Sequence, residues 1–210
     1  MKKESIVLVL LLITTICFSQ TEGWITDKTT GCKYYTLSNV DKRYIKWTGN
    51  CVDGYVSGYG TLMVFQSDTL YYTYVGTCQS GKMNGQGSLN RSNGTKYVGG
   101  FKEGNEFGQG ICIFPNGGKY EGEWKDGIMN GHGTMYYAQT SNPLFNGRKY
   151  IGEWKDGERY GNGVETLENG VKMVYSLIDG KRYYKLYHED GKLYEEGFLD
   201  VENSKKYSNE

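Results

Sequence analysis

Tyr120-Glu121-Gly122-Glu123-Trp124-Lys125-Asp126-Gly127-Ile128-Met129-Asn130-Gly131-His132-Gly133 sets the pattern for this chain. An aromatic ring opens the stretch, a glycine and a tryptophan follow at two-residue steps, and three more glycines close it. YIGEWKDGERYGNG, from Tyr150, keeps each of these positions. Looser copies start at Trp47 (WTGNCVDGYVSGYG), Tyr74 (YVGTCQSGKMNGQG) and Tyr97 (YVGGFKEGNEFGQG). Twenty of the 31 glycines occupy the four glycine positions of these five copies, which sets chance alignment aside. A period of this size means small units that bury their apolar faces by stacking on their neighbours.

Side chains alternate between the faces of a strand. Tyr120, Gly122 and Trp124 therefore share one face and Glu121 and Glu123 the other, and the glycine leaves a gap that a neighbouring ring can fill. Lys125-Asp126-Gly127 reads as a tight turn, since Asp-Gly supplies the positive φ such turns need. The return strand places Gly131, Gly133, Met135 and Tyr137 on one side. The same column holds Leu62, Val64, Leu89, Cys112 and Phe114, broken by Arg91 and Glu165, which are expected at the rim. Second turns follow at Ser92-Asn93-Gly94, Pro115-Asn116-Gly117 and Glu168-Asn169-Gly170. Each copy is thus one β-hairpin, and the expected fold is all-β: a single-layer antiparallel array of hairpins with degenerate end units. Copies start 27, 23, 23 and 30 residues apart, so extra residues fall near 66–69 and 139–146. The second insertion, with Pro143, Leu144 and Phe145, is a candidate binding loop.

The YxGxWxxGxxxGxG units resemble MORN repeats, and Asp190-Gly191-Lys192-Leu193-Tyr194-Glu195-Glu196-Gly197 resembles a shorter variant found in exported bacterial proteins. The resemblance implies a curved hairpin solenoid used as a scaffold for self-association or for docking another protein. Its framework residues would be Trp47, Tyr74, Tyr97, Phe101, Tyr120, Trp124, Tyr150 and Trp154. Cys51 and Cys78 stand at the usual tryptophan position, so less bulky packing is expected in the amino-terminal half.

The first nineteen residues read as a signal peptide: Lys2 and Lys3, an apolar run over 6–16, and small residues at Cys17 and Ser19, giving a mature start at Gln20. The run is shorter than the roughly twenty residues of a spanning helix. Lipidation of Cys17 is disfavoured by Ile16 before it. The expected organisation is then a leading unit or cap over 20–46, five repeats over 47–173, degenerate trailing repeats over 174–200 and a polar tail over 201–210. Hydrophobic residues make up 38% of the chain and tyrosines number 20, which suits a thin aromatic-lined sheet better than an aliphatic globule. Past residue 19 there remain 22 basic and 23 acidic residues, arguing against an electrostatic nucleic-acid or anionic-lipid binder.

Export permits disulfides. If Cys51 and Cys78 sit two strands apart they are roughly 10 Å from each other, too far for a bridge, whereas Cys32 could reach Cys51. Cys112 reads as a buried thiol. The cysteine spacings match no zinc arrangement. No nucleophile motif, phosphate loop or acid–base constellation is complete, so neither a catalytic residue nor a cofactor is expected. The expectation is an exported, non-catalytic scaffold at the cell envelope, periplasmic, secreted or surface-associated, acting through a protein partner or itself. One alternative is a carbohydrate-binding module using aromatic and carboxylate rows; another is a membrane-surface attachment module. Tyr55, Tyr59, Tyr136 and Tyr160 join the 143–145 loop as the candidate interaction surface.

Overall fold

The computed structural model describes residues 23–36, 42–138, 147–178 and 181–199. These form sixteen strands: β1 (Gly23–Thr26), β2 (Lys33–Thr36), β3 (Arg43–Trp47), β4 (Asn50–Val52), β5 (Tyr55–Gln66), β6 (Thr69–Gln79), β7 (Lys82–Arg91), β8 (Lys96–Lys102), β9 (Asn105–Ile113), β10 (Lys119–Lys125), β11 (Ile128–Tyr136), β12 (Lys149–Lys155), β13 (Glu158–Thr166), β14 (Lys172–Ile178), β15 (Lys181–Tyr187) and β16 (Leu193–Leu199). From β5 onward each strand pairs with the next in sequence, giving one open antiparallel meander. The expected all-β hairpin array is what the chain forms. The signal-peptide region, the 143–145 loop and the tail past 200 lie outside the described residues.

Local chemistry explains the hairpins. Asp53-Gly54, Ser80-Gly81, Glu103-Gly104, Asp126-Gly127 and Asp156-Gly157 all have positive φ at both residues, the geometry of a type I′ turn. The second kind of turn uses an Asn or Asp side chain instead: Asn93, Asn116, Asn169 and Asp190 accept from the amide two residues on. Successive hairpins are also stitched together. The turn-glycine amides of Gly81, Gly104, Gly127 and Gly157 donate to the carbonyls of Val56, Met83, Glu106 and Met129 in the preceding unit.

The ring that fills the glycine gap belongs to the same unit. A Cβ on Gly122 would meet Gly133 Cα at 2.5 Å and one on Gly133 would meet the Tyr120 hydroxyl at 2.2 Å. Tyr74, Tyr97 and Tyr150 lie over their own glycine pairs in the same way. Each hydroxyl then donates to the carbonyl three residues on: Tyr74 to Thr77, Tyr97 to Gly100, Tyr120 to Glu123 and Tyr150 to Glu153, at 2.8, 3.0, 3.1 and 3.4 Å. That carbonyl is where a register shift interrupts the hairpin, as between Gly122 and Trp124. The bulge leaves an acceptor that a phenol can reach and a phenylalanine could not satisfy.

The second ring of each unit bridges to the unit before. Tyr74, Phe101, Tyr97, Trp124, Tyr120, Trp154 and Tyr150 form an unbroken edge-to-face ladder with centroids 5.0–5.4 Å apart. Edge-to-face contact sets the positive rim of one ring against the negative face of the next. Trp124 and Trp154 also donate through Nε1 to the carbonyls of Gly110 and Gly133. All eight framework residues are buried, and with the neighbouring apolar columns they form the core.

The amino-terminal end departs from the repeat. The β1–β2 hairpin does not continue the meander; β2 meets β5 in parallel at Lys33 and Tyr55 and crosses the turn ends, with the Lys33 and Tyr35 amides donating to the Gly54 and Gly81 carbonyls. The first repeat breaks between β3 and β4, and Cys51 is disulfide-bonded to Cys32 with Cα atoms 5.8 Å apart. Cys78 is buried where the later repeats carry a ring. Tyr34 from the cap and Tyr72, joined hydroxyl to hydroxyl at 3.1 Å, are buried beside it. The cap thus supplies a ring beside the position where the tryptophan is missing.

Candidate interaction surfaces

On the outer face, opposite the rings, one row of side chains runs across the strands. Val98, Ile111, Glu121, Thr134, Ile151 and Val164 are cross-strand partners in succession from β8 to β13. Val98, Ile111 and Ile151 are exposed. The single-letter alternation hinted at such a face but not at its continuity, which follows from registering each repeat on the next.

The sequence-selected tyrosines do not converge. Tyr59 is 72% exposed, while Tyr55 packs on Trp24 with ring centroids 4.8 Å apart. Tyr136 lies under Lys119 and Lys149 and donates to Glu121 at 3.4 Å; Tyr160 carries Lys155 over its ring. Tyr55 and Tyr59 are on β5 and Tyr136 is on β11, six strand spacings or roughly 29 Å away along the sheet. His132 is exposed beside Glu123, with Nδ1 3.7 Å from the carboxylate. Cys78 and Cys112 are free and buried, and burial pushes their thiols up to about 12 and about 11, suppressing the reactive thiolate. Among the described residues no group of His, Cys, Asp and Glu could hold a metal ion, and no helix is long and apolar enough to cross a membrane.

Glu165 is not a rim residue. It is 7% exposed, and its carboxylate takes both terminal nitrogens of Arg159 at 2.9 and 3.0 Å, Arg148 Nε, and the Tyr175 hydroxyl at 2.8 Å. Burial raises its pKa, but the Arg159 charge and hydrogen bonds, with Arg148 behind them, outweigh this and hold it below the usual range. Tyr137 shares the cluster, accepting from Arg159 Nε at 2.9 Å. Arg159 breaks one apolar column and Glu165 another, and the two breaks compensate. Arg91 and Glu106 do the same across adjacent repeats at 2.6 Å. Paired departures from two columns were the available sequence signal.

The two edges of the sheet differ. At the leading edge Asp27 bridges to Ile45, and its buried carboxylate accepts from the Trp47 amide at 2.9 Å and from those of Thr29 and Thr30. At the trailing edge β16 pairs only with β15 among the described residues, with Leu193, Tyr194 and Phe198 50%, 64% and 57% exposed.

Comparison with known families matches the MORN repeat at residues 74–96, 97–119, 120–140 and 150–172. No curated protein is matched. Such repeats serve as interaction or scaffold modules and are generally not catalytic. Residues 74–140 and 150–172 of this chain therefore match four MORN repeats.

Proposed function

We propose that this protein is an exported, non-catalytic scaffold of the cell envelope, and that its primary partner is a second copy of itself docked along β16. The observation that carries this is the asymmetry of the edges. An unpaired strand is a template for another chain, and natural sheets blunt edges they do not use. Here one edge is blunted by Asp27 and the other presents apolar side chains. Addition of a copy at this edge is isologous, β16 against β16, and closes as a two-fold dimer instead of propagating as a fibre. The outer face, with its Val98–Ile151 row, remains available to a further protein partner. Export rests on the charged, apolar and small-residue segments of the first nineteen residues.

Light scattering on the purified protein should give twice the chain mass, and Tyr194→Lys with Phe198→Lys should return it to one. A strict monomer at high concentration overturns the dimer. Mass spectrometry of the protein recovered from its own cells should find Gln20 at the amino terminus; an intact leader overturns processing there.

A further inference from the structure

We propose that the junction between the leading cap and the first two repeats is a binding site for a neutral saccharide residue. Three of the four tryptophans, Trp47, Trp124 and Trp154, are buried in the framework, whereas Trp24 is 44% exposed. It is held firmly all the same. Its ring sits against the Gly81 turn, where a Cβ would approach it to 2.5 Å, and between Tyr35 and Tyr55 with centroids at 5.2 and 4.8 Å.

Trp24 and Tyr55 line a cavity of about 520 Å³, within the roughly 300–1,000 Å³ of small-ligand sites. Apart from Val52, its other walls are polar. Asp53, Ser57 and Gln79 line it, and their side chains hydrogen-bond to no other group among the described residues. Lys82 and Glu103 close the far side as an ion pair at 2.7 Å. The cavity therefore offers an aromatic platform beside a free carboxylate, a hydroxyl and an amide. The C–H face of a pyranose ring is electropositive and stacks on the negative face of an indole. Its neighbouring hydroxyls each donate and accept, which suits the Asp53, Ser57 and Gln79 set. Two carboxylates against one ammonium disfavour an acidic ligand.

The site is preorganised, which limits the ordering cost of binding. Asp53 follows β4, which the Cys32–Cys51 disulfide ties to the cap, and β2 is bonded to the Gly54 and Gly81 carbonyls. Further along the array the column of Tyr55 and Lys82 carries Asn105, Ile128 and Glu158, and among the described residues none there corresponds to Trp24. The junction is thus a single site set apart from the repeating surface.

The test is a glycan array probed with the purified protein, followed by tryptophan-fluorescence titration with whichever neutral oligosaccharide is retained. Saturable binding is expected, weakened about tenfold by Trp24→Ala and by Asp53→Asn. Asparagine tolerates the positive φ at position 53, so that variant keeps the turn. Gln79→Ala should weaken binding without altering the far-ultraviolet circular dichroism. Three results overturn the site: no neutral glycan retained, acidic glycans alone retained, or affinity unchanged in both Asp53→Asn and Gln79→Ala. Because β16 lies at the opposite end of the sheet, loss of dimerisation and loss of sugar binding are separate outcomes.

Discussion

At the scale of single residues, the repeat is an agreement between one phenol and two glycines. Gly133→Ala would set a Cβ 2.2 Å from the Tyr120 hydroxyl. It should lower stability by about 1–3 kcal/mol in urea unfolding, the usual cost of overfilling a packed site. Tyr120→Phe keeps the ring and loses the bond to the Glu123 carbonyl, and should cost about 1 kcal/mol. The glycine positions and their meaning as gaps were legible in the sequence. Which ring fills each gap was not, because that depends on a bulge whose two extra residues leave face alternation intact. Glu165 was misplaced for a related reason: a charge in an apolar column reads as a rim residue until the two guanidiniums facing it are known. Its folded pKa is depressed, so its contribution is full above the ordinary value of 4.5 and is lost as pH falls through the folded value. Glu165→Gln should cost roughly 3 kcal/mol at neutral pH by removing the buried counter-charge of the half-buried Arg159 guanidinium. The variant's stability should also fall less steeply below pH 4.5 than that of the unaltered protein, as read from urea midpoints across the acid range.

Among the elements, the hairpins declared themselves through Asp-Gly and Asn-Gly turns, and the meander followed from their spacing. The leading unit did not. Counting back 23 residues from Trp47 reaches Trp24 and suggests one more in-line copy, yet the chain lays that hairpin across the turn ends instead. The reason lies in side chains that the period does not register: Asp27 occupies the amide that an in-line strand would need, and Cys32 fastens the loop to Cys51. Cys32→Ser should therefore act locally. A bridge spanning 19 residues contributes about 3 kcal/mol. Hydrogen exchange should speed up in β1 and β2 while β10–β13 stay protected; uniform acceleration would mean that cap and array unfold as one unit.

For the whole molecule, the buried tyrosines make alkali a cooperative denaturant. Burial pushes Tyr72, Tyr120 and Tyr150 up to about 12. Folded values raised above the ordinary 10 leave stability intact below pH 10 and remove it as pH climbs from there through about 12. Tyrosinate absorbance from the framework and loss of β-sheet circular dichroism should then rise together, and framework ionisation ahead of unfolding would contradict the burial described. The stitches between turns have another consequence. Among the described residues, the strands from β8 to β13 each pair with the next in sequence, and a complete repeat adds two strands, or roughly 9.6 Å. Duplicating or excising 23 residues thus changes reach and leaves chemistry alone, so the molecule is a ruler whose length is written in its repeat number.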